Sequence, residues 1–99
     1  MEAKIYNYKT WVDNTDEAYL KTLMGRLLKE AGFSIINAIE HSYSPQGYTA
    51  VWLLAESHLA IHSFPEAGKT YIEISSCNES KNNQFVVLLE KYCLITNKN

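Results

Sequence analysis

From Tyr48 to Ala55 the chain is a nearly unbroken apolar run, and nothing constrains the fold more. A run of that length bounded by turn residues suits a buried central strand. It therefore fixes the middle of a sheet, around which the other segments must arrange themselves. The chain has 99 residues, enough for one small domain over 1–99. Its apolar content of 46 % is ordinary for a globular chain.

The flanking segments follow from their periodicities. Lys4 to Val12 is rich in Tyr, Trp and Val and reads as a strand. Asn14 with Glu17 three residues on marks a helix start. Leu20, Leu23, Met24, Leu27, Leu28 and Ala31 then form one apolar helix face, and Gly32 is a natural stop. Phe33 to Glu40 reads as a second strand, and His41 to Gly47 as turn chemistry. His58 to Ile61 is short and strand-like, and Phe64 to Gly68 is a loop. In Lys69 to Ser76, Thr70, Ile72 and Ile74 alternate with Tyr71, Glu73 and Ser75. A second helix is expected from about Ser80 to Lys91, with Phe85, Leu88, Leu89 and Tyr92 on one face. A last strand is expected over Tyr92 to Thr96. The order β-α-β-β-β-β-α-β with short turns predicts an α+β two-layer sandwich. Its sheet is mostly antiparallel, with both helices on one face.

Composition narrows the function. Net charge is −2, with both signs scattered along the chain, so neither a nucleic-acid surface nor an acidic tail is implied. No apolar stretch reaches membrane-spanning length, and the start Met1-Glu2-Ala3-Lys4 has no secretory core. Cys77 and Cys93 read as cytosolic thiols, which points to a cytoplasmic protein. No His, Cys and acid cluster has metal-ligand spacing, so no metal is expected. Seven Tyr, three Phe and two Trp are rich for the length and suit a subunit interface or a flat ligand.

The polar triplet Glu56-Ser57-His58 interrupts an apolar stretch from Val51 to Ile61. Polar groups in such a setting mark an edge or a site. No glycine-flanked elbow surrounds Ser57, which argues against an ordinary hydrolase serine. Taken alone, Ser57 reads as a strand serine near a turn and His62 as a core or interface histidine. Cys77 alone reads as a small buried residue, Tyr43 as an exposed loop tyrosine, Phe64 as core and Glu66 as a solvated glutamate.

The block from His41 to Cys77 changes those readings. It holds a histidine, a Pro-Gln-Gly loop, Glu56-Ser57-His58, Ile61-His62, Pro65-Glu66 and Cys77 in compatible spacing. It resembles the self-cleaving site of the prokaryotic S-adenosylmethionine decarboxylase proenzymes. The resemblance implies that the Ser57 hydroxyl attacks the carbonyl of Glu56, that an ester replaces the amide, and that elimination breaks the chain there. A pyruvoyl group then remains at position 57, a substitute for pyridoxal phosphate made from the chain itself, so neither that cofactor nor a metal is needed. A ketone beside an amide carbonyl can form a Schiff base with an amine and draw off electrons.

By the same resemblance His62 assists elimination, a task suited to imidazole. Cys77 is the proton donor after carbon dioxide leaves. Tyr43 and Phe64 stack on adenine, and Glu66 holds the ribose hydroxyls. Thr49 stands where a serine supports processing, and His41 matches a histidine of the pattern. His58 suits a structural hydrogen bond as well as catalysis, and Cys93 reads as core. The expected enzyme is a carboxy-lyase supplying the aminopropyl donor for spermidine, as a homodimer of processed protomers. Ala55, the stretch Ile72 to Cys77 and Asn78 depart from the family pattern. They leave the same chemistry on arginine or ornithine as an alternative. A third reading is an uncleaved relative that binds a ligand or regulates a partner.

Overall fold

The computed structural model describes residues 3–93. Its elements are β1 (Tyr6–Val12), α1 (Glu17–Glu30), β2 (Ile35–Ser42), β3 (Tyr48–Leu54), β4 (Ser57–Phe64), β5 (Lys69–Ser76) and α2 (Glu79–Tyr92). A 3-10 turn covers Pro65–Ala67. The sheet order is β1-β5-β4-β3-β2, and every neighbouring pair is antiparallel. β3 therefore lies inside the sheet, as its apolar run requires, although β4 occupies the exact middle.

One face of the sheet carries the core. Tyr48, Ala50, Trp52 and Leu54 of β3, Leu59 and Ile61 of β4, and Ile72 and Ile74 of β5 are buried on it. They meet Leu20, Leu23, Met24, Leu27 and Leu28 of α1 and Phe85 and Leu89 of α2 in a single cluster. Both helices thus cover one face of an α+β sandwich. The face is continuous because alternate residues of each strand share a side.

Several boundaries differ from expectation for local reasons. α1 is capped by Asp16, whose carboxylate accepts from the Tyr19 backbone N–H at 2.9 Å. Asn14 instead accepts from the backbone N–H of Asp16 and shapes the turn before the cap. The second strand starts later than Phe33 and runs on through His41 and Ser42, because both residues pair with β3. The strand expected over His58 to Ile61 extends from Ser57 to Phe64. Its polar residues hid its length: Ser63 is buried, but its hydroxyl is satisfied by Thr70 at 2.8 Å. Asn78 caps α2 by accepting from Lys81 N–H at 2.9 Å, so that helix starts at Glu79. On α2, Tyr92 is 39 % exposed and Asn82 is buried, so the inward face is turned slightly from the expected one. Tyr92 ends that helix and Cys93 is its C-cap; the remainder of the expected last strand lies outside the described residues.

Candidate active site

The face of the sheet away from the helices has cross-strand rows. Pairing places His41 of β2 opposite Thr49 of β3, Thr49 opposite His62 of β4, His62 opposite Tyr71 of β5, and Tyr71 opposite Trp11 of β1. Five side chains from five strands thus line one row. Within it the Thr49 hydroxyl and His62 Nδ1 are 3.0 Å apart. The Tyr71 ring is stacked on His62 at 6.3 Å with an interplanar angle of 24°. Trp11 lies 5.2 Å from Tyr71 and 5.9 Å from Phe64, centroid to centroid.

Beside the row is an open cavity of about 370 Å³, lined by Tyr43, Gln46, Thr49, His62, Phe64 and Glu66 among others. Two turns shape it. Tyr43 N–H donates to the Gly47 carbonyl at 2.8 Å, closing the β2–β3 turn. Gly47 has φ +117°, and a Cβ there would sit 3.5 Å from the Tyr43 ring. Glycine thus suits both the conformation and the close ring. The Tyr43 ring meets His41 edge-on at 4.5 Å. Gln46 donates to Glu66 at 3.4 Å, joining that turn to the one after β4. Phe64 and Tyr43 are 41 % and 50 % exposed, so their rings remain available for a flat ligand.

Ser57 and Cys77 lie at the opposite end of β4 and β5. β3 and β4 are joined by the two-residue turn Ala55-Glu56, flanked by the pair Leu54 and Ser57. Ser57 also pairs with Ser76, so Cys77 is the next residue along from its neighbour. The Ser57 hydroxyl donates to the Ala55 carbonyl at 3.3 Å, and the Cys77 thiol donates to Glu56 Oε1 at 3.1 Å. Glu56 has φ +68°, the left-handed region that glycine or asparagine ordinarily fills. That contact and burial, both acting on Cys77, raise its thiol pKa, the hydrogen bond with Glu56 most.

The chain therefore brings the expected residues together in two groups. Tyr43, Thr49, His62, Phe64 and Glu66 form one, with His41 at its edge; Glu56, Ser57 and Cys77 form the other. His62 is five residues from Ser57 along a straight strand, about 16 Å. Alternation also sets the two on different sides of β4. Within one chain the expected base does not reach the expected serine. His58 is exposed on the open face opposite Leu53 and Ser75.

Comparison with known proteins gives the architecture a family. The family model described as S-adenosylmethionine decarboxylase matches residues 8–96. The chain belongs to the S-adenosylmethionine decarboxylase family. The S-adenosylmethionine decarboxylase proenzyme of Parasynechococcus marenigrum is 44 % identical over 64 residues, 65 % of this chain and 50 % of that one. The corresponding proenzyme of Syntrophomonas wolfei is 36 % identical over 80 residues, 81 % and 63 % of the two chains. This chain spans about half the length of the first of these relatives. The crystal structure of the adenosylmethionine decarboxylase from Aquifex aeolicus superposes with a TM-score of 0.77 at 18 % identity. It covers 100 % of this chain and 93 % of that one, a likeness of fold.

Two residues of these clusters were not singled out from the sequence, and one expected residue gains a second contact. Trp11 and Tyr71 join the His62 row through strand pairing, and Glu56 is a partner of Cys77 as well as a neighbour of Ser57. Trp11 is sixty residues from Tyr71 in the chain, and no local pattern links them.

Proposed function

We propose that this chain is a proenzyme that cuts itself between Glu56 and Ser57 and then decarboxylates S-adenosylmethionine. The observation that carries the reading is the pairing of Ser57 with Ser76, which sets the scissile turn beside Cys77, in a chain of this family. The Ser57 oxygen attacks the Glu56 carbonyl carbon; the C–O bond forms as the C–N bond breaks. A base takes the Cα proton of residue 57, and the Cβ–O bond breaks with Glu56 leaving as a carboxylate. Water then replaces the nitrogen, which departs as ammonia, leaving a pyruvoyl end. That group supplies the electron sink for loss of carbon dioxide. Cys77 holds the proton for the product, Glu66 and the rings of Phe64 and Tyr43 receive the nucleoside, and Thr49 holds His62 by its Nδ1.

The protein works as a homodimer in the cytoplasm, and the dimer completes the site. Ile39 and Leu53 on the open face are 69 % and 52 % exposed. With Val51 they line a shallow hollow of about 200 Å³. Burying such a patch against its own copy requires a two-fold axis. An axis near the middle of the face exchanges the ends of the sheet. His62 and Glu66 of one copy then meet Ser57 and Cys77 of the other.

Mixing chains tests this. Ser57→Ala cannot be cut, and His62→Ala lacks its base. Co-expressed, the two variants form mixed dimers in which the His62→Ala chain faces an intact His62. Intact mass should show that chain cut in the mixture and uncut alone. Cutting of His62→Ala alone at the wild-type rate would reject the role of His62. No cutting of wild-type protein would reject self-cleavage. Carbon dioxide release from S-adenosylmethionine, and not from arginine or ornithine, is the expected outcome of the substrate assay.

A further inference from the structure

Glu56 stands at the scissile bond with a conformation and a contact that self-cleavage does not itself explain. Its turn has two residues, and its φ of +68° is one that a glycine would adopt without strain. From that position its carboxylate reaches the junction after β5 and accepts the Cys77 thiol at 3.1 Å. We propose that Glu56 is a positioning residue that holds Cys77 as a protonated, tethered thiol in the uncut chain, and that cleavage at its own carbonyl releases Cys77 for use. This rests on the self-cleavage proposed above.

The chemical reason is a competing reaction. Once the Ser57 oxygen carries the Glu56 acyl group, the bond is an ester, and a thiolate is a strong nucleophile toward it. Attack by Cys77 would form an S–C bond as the C–O bond breaks, returning the serine hydroxyl and stalling the chain as a thioester. A carboxylate beside the sulfur disfavours the thiolate. Among the described residues two charged groups act on Cys77: Glu56 raises its pKa, and Lys81 of α2 lowers it. Glu56 dominates while the chain is whole. After the cut Glu56 is the last residue of its fragment, no longer tied to β4, and nothing enforces its φ. Once that end, with its side chain and its new α-carboxylate, moves off, Lys81 remains beside Cys77 and the thiol becomes more readily ionised.

The experiment follows iodoacetamide labelling of Cys77 against pH, read by peptide mass, with buried Cys93 as the internal reference. Four proteins are compared: Ser57→Ala, the double variant Ser57→Ala with Glu56→Gln, its counterpart Ser57→Ala with Glu56→Gly, and cut wild type verified by intact mass. Ser57→Ala should label Cys77 about two- to fivefold more slowly near pH 8 than the double variant, the size of an exposed charge contact, with its profile displaced to higher pH. Cut wild type should match the double variant. Glu56→Gly, which suits the positive φ, must give the same faster profile if glutamine disturbs the turn. Equal profiles for Ser57→Ala and both double variants would overturn the tether. Slow labelling of cut wild type would overturn the release. Wild type that stays uncut would remove the release together with self-cleavage, while the Ser57→Ala variants still decide the tether.

Discussion

At the scale of single residues, Glu56 holds a left-handed backbone at the tip of a hairpin. Such a conformation costs an ordinary side chain about 1–2 kcal/mol. In a Ser57→Ala background, Glu56→Gly should therefore raise stability by about 1 kcal/mol in urea unfolding, less the entropy that glycine costs. A stability loss would show that the Cys77 contact outweighs the strain. Thr49 gives a second test at this scale. Its hydroxyl is 3.0 Å from His62 Nδ1 and fixes which nitrogen faces outward. Thr49→Ser should keep the cleavage rate. Thr49→Val, which loses a hydrogen bond worth about 1 kcal/mol, should slow cleavage about fivefold in a time course of chain lengths.

Between elements, Glu40 links three of them. Its carboxylate accepts from Lys21 of α1 at 2.6 Å and from the Tyr48 hydroxyl of β3 at 2.5 Å. The hydrogen bond from Lys21, then that from Tyr48, hold its pKa below the ordinary 4.5. A depressed carboxylate stabilises the fold above its unfolded pKa, and that contribution is lost as pH falls through the folded value. Glu40→Gln should therefore remove part of the decline in stability below about pH 4.5, read as the urea midpoint against pH. The same carboxylate, with burial the larger cause, pushes the Tyr48 phenol up. Core positions behave differently. Ile61 and Leu59 are fully buried in β4. Ile61→Ala should cost about 2–5 kcal/mol. Phe64→Ala, at the exposed end of that strand, should leave stability nearly unchanged and weaken nucleoside binding by about 1–3 kcal/mol.

For the whole molecule, the proposed pairing of two copies is tested at the open face. Ile39→Glu combined with Leu53→Glu should convert a dimer to a monomer in sedimentation, with unchanged circular dichroism. Cleavage should fall with the dimer, because His62 and Ser57 are about 16 Å apart in one chain. A double variant that is monomeric and still cuts at the wild-type rate would place the base elsewhere.

The sequence by itself determined the layers. The period of Leu20 to Ala31 made a helix with one apolar face, and the run Tyr48 to Ala55 made an interior strand. The alternation of Thr70, Ile72 and Ile74 set which side of β5 is buried, as observed. The candidate residues were legible as types at fixed spacing, because Glu56, Ser57, His62 and Cys77 lie in one short block. Spacing along the chain could not say how they meet. Only the tertiary structure separated His62 from Ser57, since eight consecutive residues of β4 are extended and advance along a line. Only strand register joined Trp11 to Tyr71 and His62, because register depends on partners far away in sequence. Glu56 reached Cys77 for the same reason: a turn conformation at one junction and a pairing at the next brought two unrelated positions within a hydrogen bond.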